Sequence, residues 1–226
     1  MKKFNRFLFF AYREWALNIF NQISANNFDD EFILITNKNS CTKEFINKVN
    51  PNVIFFYGWS WIVPSSIIDN YICLCLHPSK LPKYRGSTPI HNQIISGEEK
   101  SAVSIFKMDA GLDTGSIYYQ KSFLLDGYLD DILDNITALG CKGTWKFIED
   151  YKNNCCVFFT KQDHSKATVC KRRTPKESEI KPEDFLKHDS KYFFNMVRSL
   201  QAPYPECYIK CKTGRIVLKE IEVYDV

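Results

Sequence analysis

Short apolar runs separated by stretches with helical periodicity most constrain how this chain can fold. Four of these runs are predicted to be buried strands, at residues 7–11, 32–36, 53–57 and 71–76. Between the first two, residues 15–23 repeat apolar side chains at helical spacing. Strands that alternate with helices are joined by right-handed crossovers. The pattern therefore predicts an α/β fold with a Rossmann-like, doubly wound, mostly parallel sheet.

The remaining elements divide the chain into a core and a shorter extension. The core, residues 1–165, continues with two strands and a long helix, predicted at 102–108, 116–123 and 130–151. Residues 166–226 are predicted to form a basic linker, two short helices and a β-hairpin, around 170–175, 182–187, 191–200 and 207–223. A lone hairpin is marginally stable, so its apolar face should pack on the core or on a second subunit. We expect a homodimer formed through this hairpin.

Composition excludes several classes of protein. The 226 residues are 45% hydrophobic and 25% charged, with a net charge of +4 and no pronounced basic stripe, so no nucleic-acid partner is expected. No apolar run approaches the length of a membrane span. The nine cysteines form neither a Cys-x-x-Cys pair nor a zinc-like spacing, and their odd number does not suit a disulfide framework. These features favour a reducing, cytoplasmic location and no metal.

Two candidate catalytic groups follow predicted strands. The run 71–76 ends at His77-Pro78-Ser79, which presents an imidazole where a strand gives way to a loop. The strand at 102–108 leads into a loop that contains Asp109 and Asp113. If both strands lie parallel in one sheet, His77 and Asp113 leave the same edge and can meet. Histidine titrates near neutrality, and an adjacent carboxylate can orient it and stabilise its charged form.

The stretch around these two residues contains many motif positions at fixed offsets. They are His77-Pro78-Ser79, Leu81-Pro82, Tyr84-Arg85-Gly86, Pro89, Gly97-Glu98 and Leu112-Asp113-Thr114-Gly115. This pattern resembles the folate-dependent formyltransferases, which include glycinamide ribonucleotide formyltransferase, methionyl-tRNA formyltransferase and the enzymes that formylate nucleotide-linked amino sugars. The resemblance covers residues 52–124 well and the rest of the chain loosely.

The resemblance implies a site and a donor. The family's catalytic His and Asp fall on His77 and Asp113, and the expected formyl donor is 10-formyltetrahydrofolate. In the family, a strand end and the loop that carries the Asp flank the pteridine, largely through backbone groups. The corresponding residues here are Phe56, Tyr57, Gly58, Trp59 and Leu112.

One position departs from the family pattern: the Asn two residues before the catalytic His is Cys75 here. The Asn amide donates to the carbonyl oxygen in the family, and a thiol is a poor donor. Three interpretations follow. The protein is a formyltransferase whose oxyanion is met by His77, a backbone N–H or water. Alternatively, it is an N-acetyltransferase that uses acetyl-CoA, with covalent carriage on Cys75 as a variant. In the third, the chain has kept the fold and lost the activity, and is a ligand-binding or regulatory module. A separate alternative is that Cys75 is a buried strand residue without any chemical role.

The resemblance also narrows the acceptor. The Tyr84-Arg85-Gly86 and Pro89 pattern is similar to the tRNA and sugar branches, and the short extension resembles that of the nucleotide-sugar enzymes. The implied substrate is of the dTDP-4-amino-4,6-dideoxyglucose type; a 3-amino sugar or a UDP sugar stays open. The candidate substrate-binding residues, of which the cationic ones could contact a diphosphate or simply be solvated, are Lys80, Lys83, Tyr84 and Arg85.

Overall fold

A six-stranded sheet forms the centre of the protein. The computed structural model describes residues 4–26, 29–153 and 157–224. The sheet has the strand order β2-β1-β3-β4-β6-β7. In chain order, the strands are β1 (Arg6–Phe10), β2 (Glu31–Ile35), β3 (Val53–Tyr57), β4 (Ile72–His77), β5 (Arg85–Gly86), β6 (Lys100–Lys107), β7 (Ile117–Leu124), β8 (Val169–Cys170), β9 (Tyr208–Cys211) and β10 (Gly214–Val217).

Helices cover both faces of this sheet. They are α1 (Glu14–Ala25), α2 (Lys43–Val49), α3 (Ser65–Ile68), α4 (Pro89–Ile95), α5 (Leu129–Lys152) and α6 (Ser190–Ser199). Alternate residues of β1 point to opposite faces, so Phe9 packs with α1 and α5 while Phe10 packs with α2 and α3. Because both faces are buried, the strands read as continuous apolar runs. The predicted doubly wound α/β fold is confirmed.

The sheet is mostly parallel, but its last two strands run the other way. Strands β1 to β4 pair in parallel, whereas β6 is antiparallel to β4 and β7 is antiparallel to β6. The expectation that the strands preceding His77 and Asp113 lie parallel is therefore wrong. Lys107, the last residue of β6, lies opposite Leu74, and His77 lies opposite Ser104. The loop 108–116 thus starts beside the middle of β4 and has to run back to reach the end of that strand.

The C-terminal extension has a small core of its own. Phe193, Met196 and Val197 of α6 pack with Ile180 and Cys207. The predicted helix at 182–187 is a 3₁₀ turn, Pro182–Leu186. The predicted hairpin is present as β9 and β10, and its side chain Ile216 is 55% exposed. Its role in a dimer stays a prediction.

Two further properties concern the described residues as a group. Among them, no helix combines the length and the apolar character needed to cross a bilayer. Their cysteines are all free thiols, and two of the nine cysteines of the chain, Cys155 and Cys156, lie outside the described residues.

Candidate active site

The structure brings His77 and Asp113 together. His77 ends β4 and is 5% exposed, and its Nδ1 lies 3.5 Å from Oδ2 of Asp113. Asp113 reaches this position because it adopts a left-handed conformation, with φ of 52°, in the loop that runs back from β6. Its Oδ2 also accepts a 2.8 Å hydrogen bond from the backbone N–H of Gly86. The carboxylate is therefore fixed from two sides.

The backbone around Tyr84 decides which ring nitrogen of His77 exchanges protons. Nε2 lies 2.7 Å from the carbonyl oxygen of Tyr84. A carbonyl can only accept, so Nε2 carries a hydrogen and Nδ1 is left facing the Asp113 carboxylate. Because that carboxylate is also an acceptor, the pair can hold one proton between Nδ1 and Oδ2. This arrangement can take a proton from a bound amine and return it to a leaving group.

The segment from Tyr84 to Thr88, which contains β5, depends on unusual backbone conformations. Tyr84 and Thr88 have φ of 56° and 53°, and Gly86 has φ of 96°. A Cβ atom on Gly86 would come within 2.6 Å of the carbonyl oxygen of Cys170. Only glycine fits this conformation and this contact with β8. Left-handed conformations at non-glycine residues are uncommon and concentrate at functional sites.

A buried glutamine supports the loop that carries Asp113. Gln162 donates from Nε2 to the carbonyl oxygens of Asp113 and Gly115, at 2.8 and 2.7 Å. Its Oε1 accepts from Nη2 of Arg85 at 2.7 Å. The sequence analysis missed Gln162, because it lies in a polar stretch without a motif and its partners are 47 to 77 residues away.

Cys75 lies beside the catalytic pair as a neutral thiol. Its Sγ is 3.7 Å from the carbonyl oxygen of Leu76. Burial and the negative charge of Asp113 raise the pKa of this thiol well above its usual value. Since the thiolate is the nucleophilic form, these surroundings disfavour covalent catalysis by Cys75.

Comparison with known proteins identifies the family. The sequence profile described as "Formyl transferase" matches residues 14–136. The chain belongs to the formyl transferase family. It is 33% identical over 192 residues to the methionyl-tRNA formyltransferase of Rickettsia felis. This match covers 83% of the chain but only 60% of the length of the Rickettsia enzyme.

Solved structures of formyl transferases share the fold. The methionyl-tRNA formyltransferase from Clostridium thermocellum is 30% identical with a TM-score of 0.80, and the match covers 94% of this chain and 90% of that one. A sugar N-formyltransferase from Shewanella has a TM-score of 0.74 at 15% identity, over 98% and 99% of the two chains. At that identity, the second comparison shows the fold alone.

The residues predicted to contact the folate differ in their exposure to solvent. Phe56 and Tyr57 are buried: Phe56 stacks on Phe10 with ring centroids 5.0 Å apart, and the Tyr57 hydroxyl lies 2.9 Å from that of Thr144. These two residues can offer a ligand only their backbone groups. Trp59 is half-buried, and Leu112, next to Asp113, is 59% exposed. Their side chains remain accessible at the end of β3 and on the Asp113 loop.

The predicted substrate-binding residues do not form one surface. Lys80 and Lys83 are exposed, and the Tyr84 hydroxyl donates to Glu98 at 2.8 Å. Arg85 is 6% exposed, because its guanidinium binds Gln162 and His164. In this structure, Arg85 therefore supports the Asp113 loop.

A metal centre would need several ligating side chains in one place. Within the described ranges, no group of three or more His, Cys, Asp or Glu residues is arranged to hold a metal ion.

Proposed function

We propose that this protein transfers a formyl group from 10-formyltetrahydrofolate to the amino group of a nucleotide-linked sugar. The observation that carries the proposal is the His77–Asp113 pair. Its ring nitrogen Nδ1 faces a carboxylate at 3.5 Å, while Nε2 is held by a backbone carbonyl. Membership of the formyl transferase family supports the reaction class.

The residues at the end of β3 and on the Asp113 loop fit a folate. The exposed apolar side chain of Leu112 adjoins Asp113, and Nε1 of Trp59 is buried without a hydrogen-bond partner among the described residues. A buried donor without a partner is unfavourable, and an acceptor on a ligand would satisfy it. When bound, the folate supplies the formyl group.

His77 and Asp113 handle the proton of the acceptor amine. The neutral amine adds to the formyl carbonyl, and the N–H proton lost as the N–C bond forms passes to Nδ1 of His77. The same proton then protonates the leaving nitrogen, so the pair returns to its starting state. Both N–H groups of the imidazolium face acceptors, the Tyr84 carbonyl and the Asp113 carboxylate, so the oxyanion is met by a backbone N–H or water. The neutral Cys75 thiol is a poor donor for it.

The acceptor assignment has two candidates. The likeness in fold to a sugar N-formyltransferase over nearly the whole of both chains supports a nucleotide-linked amino sugar, for which dTDP-4-amino-4,6-dideoxyglucose is the test substrate. The second candidate is the amine of methionyl-tRNA, which the 33% identity to a methionyl-tRNA formyltransferase favours.

Mass spectrometry of the acceptor distinguishes these proposals. The protein is incubated with each acceptor in parallel, once with 10-formyltetrahydrofolate and once with acetyl-CoA. We expect a formyl increment on the amino sugar, and at least a 10²-fold slower reaction for His77→Asn, because a positioned general base contributes about 10²–10⁴-fold. An acetyl increment would instead identify acetyl-CoA as the donor, and formylated methionyl-tRNA would identify methionyl-tRNA as the acceptor. No product in any arm would favour an inactive ligand-binding protein.

A further inference from the structure

A buried histidine on α4 has no role in the proposed proton transfer. His91 is 6% exposed, and neither of its ring nitrogens has a hydrogen-bond partner among the described residues. A neutral imidazole has one donor and one acceptor, and leaving either buried without a partner is unfavourable. The ring packs edge-on against Tyr204, with centroids 4.6 Å apart. His91 is therefore positioned by packing, with both ring nitrogens buried and unpartnered among the described residues.

Two guanidinium groups lie near this histidine. Arg13, which precedes α1, stands over the ring of Tyr204 with its guanidinium carbon 5.0 Å from the centroid. Arg173, in the linker, has a buried Nε without a partner in the described part of the chain. Burial and the positive charges of Arg173 and Arg13 lower the pKa of His91 to about 4. Both arginines thus act on the same imidazole from different segments.

Carboxylates lie close to the two arginines but do not pair with them: the charge of Glu177 acts on Arg173, and Glu14 directly follows Arg13. Within the described ranges, neither Arg13 nor Arg173 forms an ion pair with a carboxylate. Arg173 donates from Nη2 to the backbone carbonyl of Glu177 at 2.6 Å, while the carboxylate of Glu177 accepts from Thr174. The N-terminus of α1, directly after Arg13, adds partial positive charge. The two guanidinium groups are therefore left without a direct carboxylate partner among the described residues.

Gly58 lets the side chain of Arg13 occupy this place. The residue follows β3 with φ of 60°, and a Cβ atom there would come within 2.9 Å of Cβ and 3.0 Å of Cγ of Arg13. The stem of Arg13 therefore lies directly against Gly58. A glycine that admits an arginine without a carboxylate partner is consistent with a binding role for that arginine.

The linker connects this cluster to the segment that holds Asp113. Cys170 pairs with Gly86, whose N–H holds Asp113, and Arg173 donates its backbone N–H to Oγ1 of Thr88 at 3.3 Å. Three residues of chain span at most roughly 11 Å. In an amino-hexose, the distance between the amino nitrogen and a phosphate on the anomeric oxygen fits within this span.

We propose that Arg13, His91 and Arg173 form an anion-binding subsite that holds the phosphoryl groups of the acceptor while its amine lies at His77. This inference rests on the proposed function. It assigns the diphosphate to Arg13, His91 and Arg173 instead of to Lys80, Lys83 and Arg85. Arginine suits the role, because its planar guanidinium can bind phosphate oxygens in pairs.

Calorimetric titration of the full chain tests the subsite without requiring catalysis. The ligands are dTDP, UDP, inorganic pyrophosphate and, as the ligand without phosphate, thymidine. We expect nucleoside diphosphate to bind at least tenfold more weakly to Arg13→Gln and to Arg173→Gln, because each variant loses a charge-assisted contact. Lys176→Gln, which removes an exposed charge three residues after Arg173, should bind within twofold of the wild type. Arg13→Lys, which keeps the charge, should lose less affinity than Arg13→Gln.

The outcomes separate the subsite from the reaction. Wild-type affinity in folded Arg13→Gln and Arg173→Gln would overturn the subsite, as would a wild-type protein that binds neither nucleoside diphosphate nor pyrophosphate. If either glutamine variant melts well below the wild type, titration of that variant is not used. The readout is then the stabilisation of the wild type by pyrophosphate in a thermal unfolding scan. Formyl transfer is measured separately. Binding that depends on both arginines in a protein that formylates no amino sugar would support the subsite and overturn the acceptor.

Discussion

Single hydrogen bonds determine how the His77–Asp113 pair uses its proton. The Tyr84 carbonyl holds Nε2, and the Gly86 N–H holds the Asp113 carboxylate. Proton exchange is therefore confined to Nδ1 and the carboxylate. Gln162 adds a second layer of support, because it binds the backbone of the Asp113 loop and the buried Arg85 at the same time.

Removing the Gln162 amide should reduce catalysis more than folding. In Gln162→Leu, the Asp113 loop loses two hydrogen bonds and Arg85 is left with fewer acceptors, so we expect kcat to fall at least tenfold with KM for the donor little changed. Steady-state kinetics measures this split. The control is Gln201→Leu, which also loses an amide-to-carbonyl bond, to Lys219, but in the extension. Equal kcat values for the two variants would contradict a positioning role.

Cys75 offers a second test at this scale. Cys75→Asn introduces an amide donor beside His77, and one such donor contributes about 10²–10³-fold in comparable sites. We expect formyl transfer to become at least tenfold faster, measured as kcat with the amino sugar. Cys75→Ala, which adds no donor, should stay close to the wild-type rate. A Cys75→Asn rate at or below that of the alanine variant would show that the oxyanion is bound elsewhere.

At the scale of elements, the site depends on a short parallel pairing between segments that are distant in sequence. Strand β5, at Arg85–Gly86, pairs with β8, at Val169–Cys170. The carbonyl of Cys170 leaves no room for a side chain at Gly86. The N–H that holds Asp113 is thus itself held in place by the linker.

Gly86→Ala should disrupt this pairing. The new Cβ would meet the Cys170 carbonyl at 2.6 Å in a backbone conformation with φ of 96°. We expect destabilisation by about 1–3 kcal/mol in denaturant unfolding, together with at least a tenfold loss of kcat. The control, Gly97→Ala, has φ of 79° but open space around the added Cβ, so it adds backbone strain alone. Full activity in Gly86→Ala would show that the pairing with the linker is not needed to position Asp113.

Much of this architecture could be predicted from local patterns, and the exceptions share one cause. The strand before His77 and the helical spacing at residues 15–23 were predicted from periodicity, and both elements are present as β4 and α1. The antiparallel direction of β6 was missed, because an apolar run has no direction. Gln162 and the Arg13–His91–Arg173 cluster were also missed. Their contacts join segments far apart in the chain, which neither motif nor spacing reveals.

For the molecule as a whole, His91 links stability to pH. Burial and the neighbouring Arg173 and Arg13 lower its pKa from 6.5 to about 4, and Tyr204 covers the ring. The unfolded chain therefore binds a proton more readily than the folded one between these two pH values. Stability from this residue is complete above pH 6.5 and is lost as the pH falls towards 4.

Urea unfolding between pH 7 and pH 4 should show this dependence. We expect the free energy of unfolding of His91→Phe to fall by about 3 kcal/mol less than that of the wild type over that range, since each pKa unit corresponds to about 1.4 kcal/mol. His188→Gln, at an exposed histidine stacked on Tyr192, should follow the wild type. Parallel curves for His91→Phe and the wild type would mean that His91 is not shielded from protons in solution.

The pairing of β5 with β8 also sets the time at which a newly made chain can become active. The backbone N–H of Tyr84 binds the hydroxyl of Thr168, a residue that is synthesised 84 positions later. Domains fold as units while the ribosome is still adding residues. A nascent chain can thus complete its central sheet while the loop that orients Asp113 still lacks its partner. Two ribosome-stalled chains can be compared, one with the linker still inside the exit tunnel and one with the linker emerged. They would differ in activity although their sheets are alike.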